Sequence, residues 1–162
     1  MSDSKLDPIA VVAEIFEQEE LDCVVLDEGV AVKTGMSIDD DLSWECVVEA
    51  APLSEDVNAL LMFSRPPEAL PNEGHLLETL QLLNRINSQL LTVGGFEIDL
   101  DHELTMRTGL IYEDTSELSV EVIAHTLFIN WAEMGRYLPV IMDVAYGRRT
   151  LEECWTELYD AE

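Results

Sequence analysis

Basic residues are scarce in this chain of 162 residues. Eight Lys and Arg stand against 34 Asp and Glu, which gives a formal net charge of −26 at pH 7. Proteins bind phosphate backbones and anionic membrane surfaces by neutralising them with Lys and Arg. The composition therefore argues against nucleic acid and membrane partners, and it favours high solubility and basic polypeptide partners. The simplest interpretation of the acidity is a well-solvated surface.

Cysteines are also few, and they lie far apart. Cys23, Cys46 and Cys154 form no CxxC pair, and an odd number of separated thiols suits a reducing cytosol better than a disulfide framework. The first residues, MSDSKLDP, are acidic and lack an apolar run, so no secretory signal is expected. No run of 18 apolar residues occurs, so no membrane span is expected either. These absences predict a cytoplasmic protein.

The sequence lacks the motifs that identify common catalytic sites. No GxxxxGK[ST], GxGxxG or GxSxG is present, which argues against a phosphate-binding loop and a hydrolase nucleophile elbow. His75, His102 and His125 lack the HxxxH or ExxH spacing of a zinc site. Cys46 falls on the apolar face of a predicted strand and is interpreted as a buried structural thiol.

Acidic residues alternate in the segments 39–43 and 99–103, as ligands do at the start of a calcium loop. The sixth position is Trp44 or Leu104, where an EF-hand loop needs glycine, so both segments are interpreted as solvated turns. A small acid–base hydrolase with paired carboxylates remains the alternative function, although a general acid needs a pKa raised by burial. No catalytic, metal-binding or cofactor-binding residue is predicted.

The periodicity of apolar residues predicts one α+β domain over residues 1–162, with helices packed on an antiparallel sheet. The predicted order is helix, three or four strands, helix, strand hairpin and long helix. Asp7-Pro8 is a favourable start for the first helix. Trp44, Cys46, Val48 and Ala50 are expected to share one strand face. The strands before the second helix are predicted at 23–26, 30–35, 42–50 and 57–64, the last of them central in the sheet or covered on both faces.

A three-residue loop at 27–29, with glycine last, predicts the register of the first hairpin. This loop would pair Val24 with Val32 and Leu26 with Val30, so that their side chains share one face.

The second hairpin, after the Gly94-Gly95 break, is predicted to turn at 101–103. A three-residue turn would place the apolar residues of 96–100 and 104–108 on one face, whereas a two-residue turn would separate them. The same register would set Glu97 opposite Arg107.

The segment LLNRINSQLL (82–91) continues an apolar helix predicted over 75–91. At ~100° per residue, Asn87 lies about 20° from Leu76, in the middle of the leucine stripe, whereas Arg85 lies about 180° from it. Arg85 is therefore interpreted as a solvated charge and Asn84 as a border residue. Asn87 is expected to point towards the core and to hydrogen-bond backbone groups of the neighbouring hairpin, because a buried amide needs partners.

The last third of the chain is predicted to be helical. A long helix starts near Val120, Pro139 is expected to kink or split it, and Gly147 ends it. Thr150 and Glu153 form a capping box for a short terminal helix.

A second apolar side is present on the long helix. Val122, Ile129 and Val140 lie about 180–200° from Val120, opposite its core stripe. A helix that is apolar on two sides needs two partners. The three side chains are therefore predicted to meet a second subunit or a client segment; alternatively, a neighbouring helix or the C-terminal tail covers them.

The run LLNRINSQLLTVGGFEIDLDHELTMRTGL (82–110) resembles the YbjN-like family of small bacterial proteins. The resemblance rests on an apolar helix that contains Asn84 and Asn87, a glycine break and a strand pair with an acidic turn. Tyr137-Leu138-Pro139 and the element order are similar too. The resemblance implies the fold of type III secretion chaperones, which are small, acidic, dimeric proteins that bind partner polypeptides. The family has no established catalytic residues, so none are transferred.

These observations predict a non-enzymatic polypeptide-binding protein. It would act as a chaperone or regulatory adaptor, form a homodimer and need no cofactor.

Overall fold

The computed structural model describes residues 6–26, 29–38, 42–71 and 74–160. The predicted α+β class and element order are confirmed, with four strands between the first two helices. The strands are β1 (Cys23–Leu26), β2 (Ala31–Ser37), β3 (Ser43–Pro52), β4 (Asn58–Arg65), β5 (Gly95–Ile98) and β6 (Leu104–Tyr112). The helices are α1 (Pro8–Gln18), α2 (Leu76–Arg85), α3 (Val120–Ala145) and α4 (Leu151–Asp160), with a π-helical turn (Ile86–Leu90) directly after α2 and a 3-10 turn (Thr115–Glu117) before α3.

The strands form a single antiparallel sheet in the order β1-β2-β3-β4-β6-β5. β4 lies between β3 and β6, so the central position predicted for its apolar run is confirmed. The short strands β1 and β5 form the two edges.

Helices pack on one face of this sheet. Trp44, Cys46 and Val48 alternate along β3, as predicted, and all three are buried, whereas Ala50 is partly buried. One core cluster joins the centre of this face to α1 and the first half of α3. A second cluster joins Trp44, β5 and β6 to α2, α4 and the second half of α3. Alternation along β3 thus directs every second side chain into a helix-covered core.

A buried amide, Asn130 of α3, ties the helix to the centre of the sheet. Its Oδ1 accepts a hydrogen bond from the Ser64 hydroxyl at 2.6 Å, and its Nδ2 lies 3.3 Å from the Met62 carbonyl and 3.2 Å from the Met106 carbonyl. Asn130 has no exposed surface. An amide enclosed by β4 and β6 fixes where α3 sits across these strands.

Helix starts follow the predicted capping chemistry. Asp7 Oδ1 accepts hydrogen bonds from the N–H groups of Ile9 and Ala10 at 3.0 and 3.2 Å. The Thr150 N–H donates to Glu153 Oε2 at 2.9 Å, and the Glu153 N–H donates to Thr150 Oγ1 at 3.3 Å, which confirms the capping box of α4.

α3 is not split at Pro139, because the helix continues to Ala145. The residues that flank the proline, including Leu138 and Val140, are buried. Tertiary packing of the flanking turns compensates for the backbone hydrogen bond that proline cannot donate.

The register predicted for the first hairpin is wrong by one residue. Val25, not Val24, lies opposite Val32, and Leu26 lies opposite Ala31, not Val30. The connection is one residue longer than predicted, because β2 begins at Ala31. Residues 27 and 28 of this loop, and the acidic segment 39–41, lie outside the described ranges.

The second hairpin has a longer turn than predicted, over residues 99–103. Ile98 lies opposite Leu104, and Leu100, expected in the apolar set, is 98% exposed. The Asp99 carboxylate accepts hydrogen bonds from the N–H groups of Asp101 and Glu103, both at 2.9 Å. The predicted and observed loops differ by two residues, which leaves each side chain on the same side of the sheet. The shared apolar face of the two strands was therefore predicted correctly.

Candidate functional site

The sheet face turned away from the helices is apolar at its centre. Strand register puts Val47 opposite Phe63, Leu61 opposite Gly109 and Ala59 opposite Ile111. Among the described residues, neither core cluster contains any of these side chains. We call this surface the open face and define its apolar part by Val24, Val47, Ala51, Leu61, Phe63 and Ile111.

Exposure increases towards the margins of the open face. Val24 is 55% exposed on β1 and Ile111 is 73% exposed on β6, whereas Val47, Leu61 and Phe63 are half-buried. Apolar side chains therefore extend across most of the sheet with no helix of the described chain on top of them. An exposed apolar surface of this kind is typical of an interaction site.

Charges on the open face balance, in contrast to the rest of the molecule. Lys33 Nζ lies 2.7 Å from Glu45 Oε2, and Arg107 lies 3.4 Å from Glu97. The predicted Glu97–Arg107 pair is thus present, although as diagonal neighbours, because Gly95 lies directly opposite Arg107.

Arg65 lies over the Phe63 ring, 5.3 Å from its centroid, and its Nε donates to Thr105 Oγ1 at 3.1 Å. With Glu49 as the third acid, this surface has equal numbers of basic and acidic side chains in a chain of net charge −26.

A groove of about 510 Å³ runs along the open face beside β6. It exists because β5 pairs only with Leu104–Arg107, which leaves the last part of β6 without a neighbour on that side. Gly94, with a φ of +77°, turns the incoming chain away from β6. A side chain at position 94 would collide with the Arg107 carbonyl. The lining of the groove includes Leu61, Val93, Gly94, Arg107, Gly109 and Ile111.

Asn87 makes the hydrogen bonds predicted for it. Its Nδ2 donates to the Phe96 carbonyl and its Oδ1 accepts from the Phe96 N–H, both at 2.8 Å. The prediction that Asn87 points into the core is wrong, because this residue is exposed. The amide instead satisfies both backbone groups of Phe96 on the outer edge of β5.

α2 buries a different side from the one predicted. Leu82, Leu83 and Ile86 are buried, whereas Leu80 is 43% exposed. The buried side lies about 80° away from the leucine stripe counted from Leu76, and the π-helical turn changes the residue spacing after Arg85.

The polar neighbours of Asn87 lie at the surface. Asn84 is exposed on α2. Arg85 is partly buried, with a bond of 2.8 Å to Glu152 and a ring contact of 5.6 Å to Trp155. Arg85 therefore helps to hold α2 against α4, a role that the interpretation as a solvated charge missed.

The three residues predicted at a subunit or client interface do not share one surface. Val122 and Ile129 are 43% and 36% exposed on the first half of α3. Val140 is only 7% exposed and belongs to the core cluster that contains Leu151 and Cys154 of α4. The placement of Val140 at an interface is therefore wrong, because a neighbouring helix covers this side of α3, as the alternative interpretation held.

Clear pKa shifts in the described chain fall on thiols, on surface carboxylates, on one tyrosine and on two arginines. Burial raises the pKa of Cys46 to about 11, against hydrogen bonds from Trp131 and Ser64 that lower it. Its Sγ lies 3.2 Å from Trp131 Nε1, so Cys46 is the buried structural thiol predicted. Hydrogen bonds lower the pKa of Glu121, Glu152 and Glu153. Within the described ranges, no group of three or more His, Cys, Asp or Glu could hold a metal ion.

Sequence reasoning missed the open face and Asn130. The signal for the open face was present in β4, where Leu61 and Phe63 are as apolar as the buried Leu60 and Met62. That run was interpreted as a strand covered on both sides, whereas the described chain covers one. Asn130 interrupts the stripe of α3 seven residues after Ile123, a spacing that places it on the buried side.

The chain matches no protein-family model, and no curated protein gives a significant match. No helix in the described part of the chain is long and apolar enough to cross a membrane.

Proposed function

We propose that this protein is a cytoplasmic, non-enzymatic polypeptide-binding protein, a chaperone or regulatory adaptor. The open face is the observation that carries the proposal. It offers an apolar, charge-balanced surface with a groove at one margin, on a molecule whose other surfaces are strongly acidic.

The chemistry of this surface favours polypeptide over other ligands. Its basic side chains are paired with acids or stacked on Phe63, so they do not form the basic patch that nucleic acid binding requires. A partly apolar sheet face with few charges resembles the core of a protein–protein interface. The surrounding acidic surface would repel other copies, keep the apolar face from aggregating and attract basic clients.

The alternative hydrolase would need a carboxyl group whose burial raises its pKa. Three exposed carboxyl groups with clearly shifted pKa values, Glu121, Glu152 and Glu153, have pKa values lowered by hydrogen bonds, the opposite of what a general acid needs. Among the described residues, a close histidine–carboxylate pair joins His75 Nδ1 to Glu78 Oε2 at 2.8 Å, and both side chains are exposed. These observations support the binding function over the hydrolase.

The resemblance to the YbjN-like family supports the same proposal, since it implies the fold of polypeptide-binding secretion chaperones. Homodimer formation is part of the proposal. Because Val140 lies in the core, the proposed dimer interface rests on Val122 and Ile129.

Binding of a permanently unfolded, basic chain tests the proposed function. The probe is fluorescently labelled lysozyme, reduced and alkylated with iodoacetamide, and its anisotropy is followed during titration with the protein. Ile111→Glu should weaken binding about tenfold, the loss expected when ~1.4 kcal/mol of apolar contact is removed. Added negative charge alone would strengthen the attraction to a basic probe.

Leu77→Glu is the matched control, because Leu77 on α2 is 68% exposed, close to the 73% of Ile111. It adds the same charge away from the sheet, so the affinity should stay the same or rise slightly. Equal effects of the two substitutions, or no binding by the unsubstituted protein, would contradict the proposal.

A further inference from the structure

The edge of β6 is unpaired along the groove. β6 runs from Leu104 to Tyr112, but its pairing with β5 ends at Arg107. Residues 108–112 therefore have β4 on one side and the groove on the other. A strand edge with unpaired backbone groups is a template for a further strand.

The direction of the backbone groups follows from the ladder. The Arg107 carbonyl points towards Gly94, on the β5 side. Backbone groups alternate between the two edges of an antiparallel strand, so the N–H and C=O groups of Gly109 and Ile111 also point into the groove. Outside the sheet ladders, neither residue makes a backbone hydrogen bond with another described residue.

The neighbouring edge, on β5, is already capped, which leaves the segment 108–112 of β6 as the open edge beside it. On β5, the outward N–H and C=O groups of Phe96 are both taken by the Asn87 side chain. Asn87 thus occupies the place of a further strand beside β5. The segment 108–112 has no such cap among the described residues, although it lies next to Asn87 in the same groove.

The chemistry of the groove changes along its length. Ile111, Leu61 and Val93 line it with apolar side chains, and Gly109 adds none. At the end of β6, the segments 52–58 and 112–120 contain no Lys or Arg. Their exposed acids are Glu55, Asp56, Glu113 and Glu117.

We propose that residues 108–112 of β6 accept an extended segment of a partner protein as an additional antiparallel strand. The segment is apolar at alternate positions and carries Lys or Arg at its N-terminal end. This orientation continues the antiparallel pattern of the sheet and puts the basic end beside Glu113. Residues that bond the edge of β6 direct their side chains to the open face, so these are the apolar positions. The inference rests on the proposed function and adds the mode of binding and the class of partner.

Labelled peptides of sequence Lys-Lys-Val-Thr-Val-Thr-Val test the proposal without altering the protein. N-methylation of the valines removes the donors that would face β6 and should weaken binding more than about tenfold. N-methylation of the threonines alters the outward donors and should change the affinity less than about threefold. Replacing Lys-Lys by Glu-Glu, or moving it to the C-terminus, should also weaken binding. Equal affinities for the two methylated peptides would overturn strand addition.

Substitutions at Ile111 give the complementary test, with circular dichroism to verify folding. Ile111→Pro removes one edge donor and should abolish peptide binding, whereas Ile111→Val keeps the donor and should bind normally. A dimer of the free protein that Ile111→Pro dissociates would show that a second copy takes this edge, and would overturn the proposed partner.

If unfolded lysozyme binds but the methylated peptides do not differ, strand addition fails and polypeptide binding stands. If neither probe binds, both proposals fail.

Discussion

At the scale of single residues, two asparagines join helices to the sheet in different surroundings. Asn130 is enclosed and bonds the side chain of Ser64 and backbone carbonyls of β4 and β6, whereas Asn87 is exposed and bonds the backbone of Phe96. Water can replace an exposed partner but cannot reach an enclosed one.

Asn130→Leu is therefore expected to lower the free energy of unfolding by about 1–3 kcal/mol, because it removes the buried acceptor of the Ser64 hydroxyl and the amide's hydrogen bonds to two buried carbonyls. Asn87→Leu is expected to cost less, about 0.5–1.5 kcal/mol, the net value of ordinary hydrogen bonds. Urea denaturation of both variants measures the difference. A larger loss for Asn87→Leu would contradict the roles assigned to the two amides.

Cys46 gives a prediction for alkaline pH. Burial raises its pKa from 9.0 to about 11 in the folded chain. Between these values the unfolded chain loses the proton and the folded chain keeps it, so stability falls as pH rises from about 9 to 11. The expected contribution is on the order of 2 kcal/mol. Urea unfolding at pH 9 and pH 11 should show a smaller loss in Cys46→Ala than in the unsubstituted protein, and equal losses would refute this account.

At the scale of elements, the turn before β5 shapes the groove. Gly94 and Gly74 both have positive φ, +77° and +88°. A Cβ at position 74 meets no atom within 4 Å, whereas at position 94 it would strike the Arg107 carbonyl.

Gly74→Ala should therefore cost only the strain of a left-handed alanine, about 1–2 kcal/mol. Gly94→Ala should cost clearly more, because β5 and β6 must also move apart. Thermal unfolding of the pair measures this, and equal melting temperatures would show that the close approach at Gly94 has no energetic weight.

The sequence predicted the elements better than their connections. Alternation in β3 and capping at Asp7 and Thr150 depend on nearby residues, so they can be inferred from spacing. The two hairpin registers depended on loop lengths that one or two residues change, and both loops proved longer than predicted. Val140 was misplaced because it packs in a core cluster shared with α2 and α4, and no local pattern reveals how these helices pack. The open face was missed because the sequence does not show which strand faces the helices cover.

At the scale of the whole molecule, charge opposes self-association and favours basic partners. Two copies with a net charge of −26 repel each other except where a neutral apolar surface meets. Salt screens this repulsion over about 10 Å at 0.1 M.

The homodimer proposed through Val122 and Ile129 should therefore strengthen with salt. Light scattering at micromolar concentration should give twice the 18.2 kDa mass of the chain. Val122→Glu combined with Ile129→Glu should reduce the mass to that of one chain, whereas Leu77→Glu should not. A single 18.2 kDa species for the unsubstituted protein at all salt concentrations would remove the dimer from the account.

The central claim is that the open face binds polypeptide, and amide chemical shifts in a ¹H–¹⁵N NMR titration with unfolded, alkylated lysozyme test it most directly. Binding at the open face predicts shifts for Val47, Leu61, Phe63, Gly109 and Ile111, with the amides of α4 unchanged. Shifts confined to the helix-covered side, or no shifts at concentrations that saturate binding, would contradict it.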